Sequence, residues 1–345
     1  MNQIRINLYS DTQTLPTPQM RKAMAEAPVG DEQRGEDPSV NRLCEVVAEL
    51  TGKEAAVFLP SGTMCNEIAI CVHCRPGDEI ITDHTAHILN LEGGGPAALS
   101  GTSIWPLEGT RGVFTSEQVL QAIRPESRHT PRSRLVCVEQ TANLGGGTVW
   151  PLEMIQAVAE VARAHGLALH LDGARLFNAV IAANIEAREY TSPFDSVWFD
   201  LSKGLGCPVG GVLAGDSAFI EDAWWWKQRL GGAMRQAGIL AAAGLYALEH
   251  HIERLAEDHH NARLFAEYIA EIPGISVTLE AVETNIIFFD VATTGLSAAE
   301  VSEKLKSHGV LIGPMGKSRL RAVTHLDISR ADVETAAKAL RKVIC

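Results

Sequence analysis

From about residue 40 to residue 215, short apolar runs alternate with longer windows of helical periodicity, and no other feature of the chain constrains its fold as much. Strand-like runs fall at 55–59, 79–82, 135–139, 168–171, 196–199 and 209–214, with helical windows such as 41–51, 62–73 and 152–165 between them. Strand, crossover helix and strand in regular succession specify an α/β fold with a mostly parallel sheet. The window 152–165 is the clearest: Pro151 suits a first turn, where a missing N–H costs nothing, and Gly166 follows the end. Past residue 216 the pattern changes. A helical stretch over 216–272, softened at Gly231-Gly232 and at Gly244, precedes strands at 275–279, 285–290 and 320–324 and helices at 298–308 and 331–343. The expectation is a large domain over 1–245, N-terminal arm included, and a small C-terminal α+β domain over 246–345, for which 345 residues are ample.

Several function classes are disfavoured. A formal net charge of -12 argues against nucleic acid as a partner, because phosphate contacts need a basic face. No apolar run reaches the roughly 18 residues that span a bilayer. Residues 1–11 contain Arg5 but no apolar core of signal-peptide length, so a soluble cytoplasmic protein is expected. Seven scattered cysteines do not resemble a secreted disulfide framework, and the lone Cys71/Cys74 pair reads as buried thiols rather than a metal site. The doublets His250-His251 and His259-His260, set among Glu249, Glu253, Glu257 and Asp258, read as a solvated helix face.

Three features that can carry chemistry follow strand ends in order, where parallel sheets bind ligands. Pro60-Ser61-Gly62-Thr63 joins a strand to a helix. Gly62 admits a phosphate close to the backbone, Thr63 offers a hydroxyl and the helix N-terminus offers N–H groups, although an ordinary helix cap has the same residues. Asp172 ends the apolar run Leu169-His170-Leu171 and calls for a cation, either a protonated pyridine nitrogen or Arg175 three residues on. Lys203 follows a strand within Leu201-Ser202-Lys203-Gly204, among glycines at 204, 206, 210 and 211. Partial burial in such a mobile, close-packed turn disfavours an ammonium group and frees an amine for a Schiff base with an aldehyde; a surface lysine in a glycine loop is the plain alternative. His87, after the second strand-like run, could stack on a ring and move protons, or be a satisfied core histidine.

Longer ordered segments then carry a resemblance over nearly the whole chain: Ser10-Asp11-Thr12, Gly30-Asp31-Glu32, Gly35-Glu36-Asp37-Pro38, Pro60-Ser61-Gly62-Thr63-Met64, Leu171-Asp172-Gly173-Ala174-Arg175, Leu201-Ser202-Lys203-Gly204-Leu205, Met234-Arg235-Gln236-Ala237-Gly238, and Arg321 with Val323-Thr324-His325. In these the chain is similar to the low-specificity L-threonine aldolases, in the β-eliminating-lyase group of fold-type I pyridoxal-phosphate enzymes. The resemblance implies a seven-stranded, mostly parallel sheet in the large domain and pyridoxal 5'-phosphate as cofactor. It implies an active site built between subunits of a homo-oligomer, either a dimer or a tetramer made as a dimer of dimers. It also implies Lys203 as the cofactor-linked lysine, Asp172 as partner of the ring nitrogen and His87 as the stacking histidine. Ser61, Gly62, Thr63 and Ser202 would lie at the phosphate, with Arg235 there or at a subunit contact. Ser10, Arg175 and Arg321 would hold the substrate α-carboxylate, Arg175 also bordering the cofactor.

Two positions depart from the family pattern. Where Glu-Asn-Thr-His-Asn is usual, this chain has Glu139-Gln140-Thr141-Ala142-Asn143, and the usual tyrosine before Gly35 is Arg34. Arg34 is a candidate contact to an acidic substituent, as in 3-hydroxyaspartate, or a solvent-facing residue. The expected reaction is retro-aldol scission of a small β-hydroxy-α-amino acid of the threonine or allo-threonine type into glycine and an aldehyde, with His87 as base in place of the missing histidine. The alternatives are scission of a phenylserine-type substrate, β-elimination, racemisation or transamination on the same cofactor, and a non-catalytic binding protein on this fold. A dinucleotide-dependent oxidoreductase is disfavoured, because the glycines at 204–211 lack the Gly-x-Gly-x-x-Gly spacing and Pro208 interrupts them. Trp224-Trp225-Trp226 on one helix must point in different directions, which suits a subunit contact or ordinary packing.

Overall fold

A computed structural model describes residues 4–345; residues 1–3, part of the segment read for a leader, lie outside the described residues. Seven strands form the main sheet: β1 (Ala55–Leu59), β2 (Asp78–Asp83), β3 (Ser103–Leu107), β4 (Arg132–Glu139), β5 (Ala168–Gly173), β6 (Ser196–Asp200) and β7 (Gly211–Gly215). Their order is β1-β7-β6-β5-β4-β2-β3. All neighbours are parallel except β7, which runs against both β1 and β6. The segment 201–210 is too short for the dozen or so residues a parallel crossover takes, so the chain turns back on itself between β6 and β7. That forced reversal is the turn that carries Lys203.

The expected α/β architecture with a mostly parallel sheet of seven is what the chain forms, and six of the strands lie where apolar runs were read. β3 was missed. It pairs only with β2, has four of its five side chains at least partly exposed and contains Pro106, so it has neither the apolar density nor the donors of a central strand. Helix Leu152–Ala164 has Pro151 as its N-cap, outside the first turn. The stretch 216–272 is three helices, Ser217–Arg229, Gly238–His250 and Leu255–Ala270. The first break is at Gly231-Gly232 as expected, but the second is after His250 and not at Gly244. Gly244 is mid-helix, where a Cβ would sit 3.1 Å from Leu43 and Leu201 side-chain atoms; its bareness serves helix packing.

Beyond the main sheet, β8 (Ile286–Asp290), β9 (Gly313–Pro314) and β10 (Arg319–Val323) form an antiparallel sheet in the order β9-β10-β8. Helices Leu255–Ala270, Ala298–Ser307 and Arg330–Ile344 share a second core with it, around Phe265, Ile269, Phe289, Val301 and Leu340. The strand expected at 275–279 does not form. Only Ser276 bridges to Asp290, while Ile275, Val277 and Leu279 pack onto this core from irregular backbone. The N-terminal arm joins the same region: Ile6–Asn7 pairs in parallel with Val310–Leu311, and Val323 N–H donates to Leu8 O at 2.9 Å.

The histidine doublets are not a wholly solvated face. His251 is 5% exposed with Nδ1 2.7 Å from Leu205 O, and Asp258 is fully buried against Arg254 at 2.6 Å. Adjacent helix residues point about 100° apart, so in such a doublet one ring can turn inward while the other meets water. Among the tryptophans, Trp224 and Trp226 pack against the β1–β7 edge of the sheet, while Trp225 is 60% exposed.

One buried ion pair offers a stability test. Lys227 Nζ lies 2.9 Å from Glu32 Oε2 with both side chains wholly buried, and Glu32 also accepts from Met234 N–H. Lys227→Met leaves Glu32 as an uncompensated buried charge, so unfolding in denaturant should show a loss of about 3–5 kcal/mol. An unchanged midpoint and slope would mean the pair is not formed.

Candidate active site

A cleft of about 410 Å³ opens at the C-terminal ends of the parallel strands. Pro60–Thr63 follows β1, His87 follows β2, Asn143 follows β4, Asp172 and Arg175 end β5, and Ser202-Lys203 follow β6. Ser10 from the arm and Arg321 from β10 complete the wall. Ten of the twelve distinct site residues expected from the sequence thus border one cavity. Arg34 and Arg235 do not; they are exposed, ion-paired with Glu36 at 3.0 Å and Asp31 at 2.9 Å respectively.

Asp172 is 1% exposed, yet its bonds come from neutral donors: Asn66 Nδ2 at 2.9 Å and Ala174 N–H at 3.1 Å. Arg175 is not its counter-ion. The Arg175 fork engages Asp11, with Nε and Nη2 each 2.7 Å from a carboxylate oxygen. Burial alone would raise the Asp11 pKa, but the guanidinium outweighs it and holds that carboxyl well below the usual range. Of the three residues expected at a substrate carboxylate, Arg175 therefore has its fork largely committed. Arg321 bonds through Nη1 to Asn143 Oδ1 at 3.0 Å and remains half-exposed toward the cleft, and Ser10 lies beside it in the wall.

Lys203 Nζ lies 3.0 Å from Asp200 Oδ2, with 15% of its side chain exposed. Its turn is not loose. Leu201 N–H donates to Gly210 O, Cys207 N–H to Leu201 O and Thr14 Oγ1–H to Lys203 O, each at 2.9 Å. Ser202 donates through N–H and Oγ–H to Asp200 Oδ1, both at 2.7 Å, so its hydroxyl proton is already used. Ser61 caps the helix Gly62–His73 by accepting from Met64 N–H. At Gly62 a Cβ would collide with the Trp198 ring, so this position admits no side chain. Ser61, Gly62 and Thr63, at the N-terminus of this helix, line the cleft.

His87 Nδ1 is 2.7 Å from Glu92 Oε1, and His87 N–H donates to Glu139 Oε2 at 2.6 Å. Burial lowers the imidazole's affinity for a proton, but the Glu92 bond and the charges of Asp172, Glu92 and Glu139 outweigh it and hold His87 above its ordinary value. Burial and Asp172 push Glu139 up to about 7. Ala142 does not border the cleft: it is 2% exposed, beneath Gly112, where any Cβ would strike the Ala142 methyl. Sequence reasoning missed Asp11, Asn66, Glu92 and Asp200 as partners of the site. Only Asn66 had a local signal, four residues after Gly62 and so on one face of the helix.

The arrangement fits pyridoxal phosphate by its donor set. A buried carboxylate without a cationic partner among the described residues, a lysine amine and a helix N-terminus with a bare glycine border one cavity. Comparison with known proteins agrees. Residues 7–293 match the model of the beta-eliminating lyase family. The chain is 43% identical to the low specificity L-threonine aldolase of Escherichia coli K12 over 333 residues, covering 96% of this chain and 97% of that protein. Low-specificity L-threonine aldolase 1 of Arabidopsis thaliana is 42% identical over 333 residues, covering 95% and 93% of the two chains. In fold, the chain matches the threonine aldolase of Leishmania major with a TM-score of 0.84 at 19% identity, covering 99% of this chain and all of that one. A serine palmitoyltransferase structure with pyridoxal phosphate matches at a TM-score of 0.73 and 17% identity, covering 98% and 87%. Matched along almost its full length, the chain belongs to the beta-eliminating lyase family and, within it, to the low-specificity L-threonine aldolases.

Proposed function

We propose that this chain uses pyridoxal phosphate to cleave a β-hydroxy-α-amino acid of the threonine or allo-threonine type into glycine and an aldehyde. The observation that carries the reading is Asp172, a buried carboxylate with only neutral donors, in the same cleft as the Lys203 amine. When bound, pyridoxal phosphate supplies an aldehyde for amine condensation and a ring that takes up the electron pair of the breaking Cα–Cβ bond.

The chain's own residues then have defined tasks. Asp172 would hold the ring nitrogen, Lys203 would hold the cofactor through its aldehyde, and Gly62, Thr63 and Ser61 would hold the phosphate at the helix N-terminus, with Ser202 supporting the turn. Arg321 is the planar fork for the substrate carboxylate, with Ser10 beside it, and Arg175 braces the arm through Asp11. Fixing that carboxylate orients the bond to be broken. His87 has Nδ1 committed to Glu92, which leaves Nε2 to take the β-hydroxyl proton. The base must be neutral, so activity should rise as pH rises through the raised His87 value. His87→Asn is expected to slow turnover by about 10²–10⁴-fold, and an unchanged rate would remove the residue from the chemistry.

Arg34 and Arg235, exposed and outside this chain's own cleft, fit a role across a contact with a second copy. Exposed Trp225 (60%) and Leu91 (53%, on the cleft rim) support a homo-oligomer. No helix among the described residues is long and apolar enough to cross a membrane. Incubating the protein with threonine, allo-threonine, phenylserine and 3-hydroxyaspartate, and assaying glycine with aldehyde, tests the reading. Ammonia and a keto acid in place of those products would instead indicate β-elimination.

A further inference from the structure

Glu67 projects from the helix Gly62–His73 and is 4% exposed, and neither of its carboxyl oxygens meets a donor. Glu92 is in a related position. Its Oε1 accepts from His87 Nδ1 and Asn66 Nδ2, both at 2.7 Å, while Oε2 meets no donor. The two carboxyls act on one another, the charge of Glu92 and a side-chain contact with it raising the Glu67 proton affinity. Two carboxylates cannot make that contact, because ionised carboxyls only accept, whereas a carboxylic acid beside a carboxylate can. One proton resolves the orphaned atoms on both residues.

The surroundings decide which residue carries it. Glu92 receives two side-chain donors and is suited to be the anion; Glu67 receives none. Burial and the adjacent Glu92 charge push Glu67 up to about 8, and burial likewise raises Glu92 against the pull of His87. The other ionisable neighbours do not supply a cation to Glu67. Cys71, one turn along, is a thiol pushed up to about 11 by burial, and His170, which reaches Asn66, is pushed down to about 3. Asp172 and Glu139 lie beyond Glu92 and His87 and are acidic. The turn Pro96–Ser100 packed on this helix contributes no ionisable side chain, and Gly95 makes the room, since a Cβ there would collide with Glu67 Oε1.

We propose that Glu67 is a positioning residue that holds a proton for Glu92, so that the charge behind His87 is one unit while Glu67 is an acid and two once it ionises. The second negative charge favours imidazolium and makes a neutral Nε2 scarcer. The rise of turnover with pH should therefore be spread over a wider range and be complete only above the Glu67 titration near pH 8. The kinetic part rests on the aldolase reading with His87 as base; the placement of the proton does not.

Two measurements on the holoenzyme test this. Infrared difference spectra in heavy water, wild type minus Glu67→Gln, should contain the carbonyl stretch of a buried carboxylic acid that disappears as pH is raised through about 8. Glu67→Leu should lose the same band. Glutamine keeps a donor toward Glu92 and adds no second charge at any pH, so the rise of kcat should be steeper in Glu67→Gln and complete about one pH unit lower than in the wild type. A band untouched by both substitutions, one that titrates below pH 6, or superimposable pH profiles would overturn the proposal. If the wild type released no aldehyde at all, the proposed function would fail, and the infrared result would still decide where the proton sits.

Discussion

Lys203→Ala is expected to abolish borohydride-stabilised attachment of pyridoxal phosphate and to lower aldehyde release by at least about 10³-fold, the scale of losing a group that forms the covalent link. The main chain of Lys203 is fixed by Thr14 and the bonds that close 201–210, and its amine is steered by Asp200 at 3.0 Å. The contacts of the main chain do not need the lysine side chain, and only the Asp200 contact is lost, so the variant should bind the cofactor loosely and release it on dialysis. Peptide mapping after borohydride reduction is the direct check. Label on another lysine, or undiminished turnover, would end the assignment.

Asp172→Asn should cost about 10²–10³-fold in kcat, the loss expected when one preorganised electrostatic partner of about 3–4 kcal/mol is removed. Asparagine has the same shape but one acceptor oxygen, so it keeps one of the two bonds, to Ala174 or to Asn66, and the fold around β5 should survive that loss while the charge is removed. If the ring nitrogen is not held here, removing a buried unpaired carboxylate should instead stabilise the protein and leave kcat unchanged. Thermal unfolding measured beside kcat separates these outcomes.

Much of the fold was legible wherever burial and periodicity coincide. The run 55–59 is a strand to the residue, because even at the sheet edge its last three side chains are buried, and Ser61-Gly62-Thr63 marks its helix by the capping chemistry that residues of this kind perform. Ser103–Leu107 was illegible for the opposite reason: an exposed edge with a proline has no pattern to read. The segment 275–279 was misread because an apolar alternation can be buried by packing alone, without a ladder. At the site, residues that follow strand ends could be named in advance. Their partners could not. Asp11 meets Arg175 across most of the main sheet's sequence, and nothing local in either member announces that pair; Asn66, which reaches Asp172, was marked only by sharing a helix face with Gly62. The bond from Arg175 to Asp11 was therefore not foreseen, while the place of Arg175 at the cleft was.

The N-terminal arm has a consequence for how the molecule comes together. Leu8 hydrogen-bonds to Val323, Leu15 N–H to Asp327, His325 to Asn7 O, and Asp11 to Arg175. The arm thus leaves the ribosome long before its anchors, most of which lie more than 300 residues further on, and closing so long a loop is slow even when the final contacts are strong. The cavity wall formed by Ser10 stays unfinished until Arg321 has been made. A nascent chain stopped just short of the last antiparallel sheet would hold the lysine, the aspartate and the glycine cap, and still have no way to grip an amino acid.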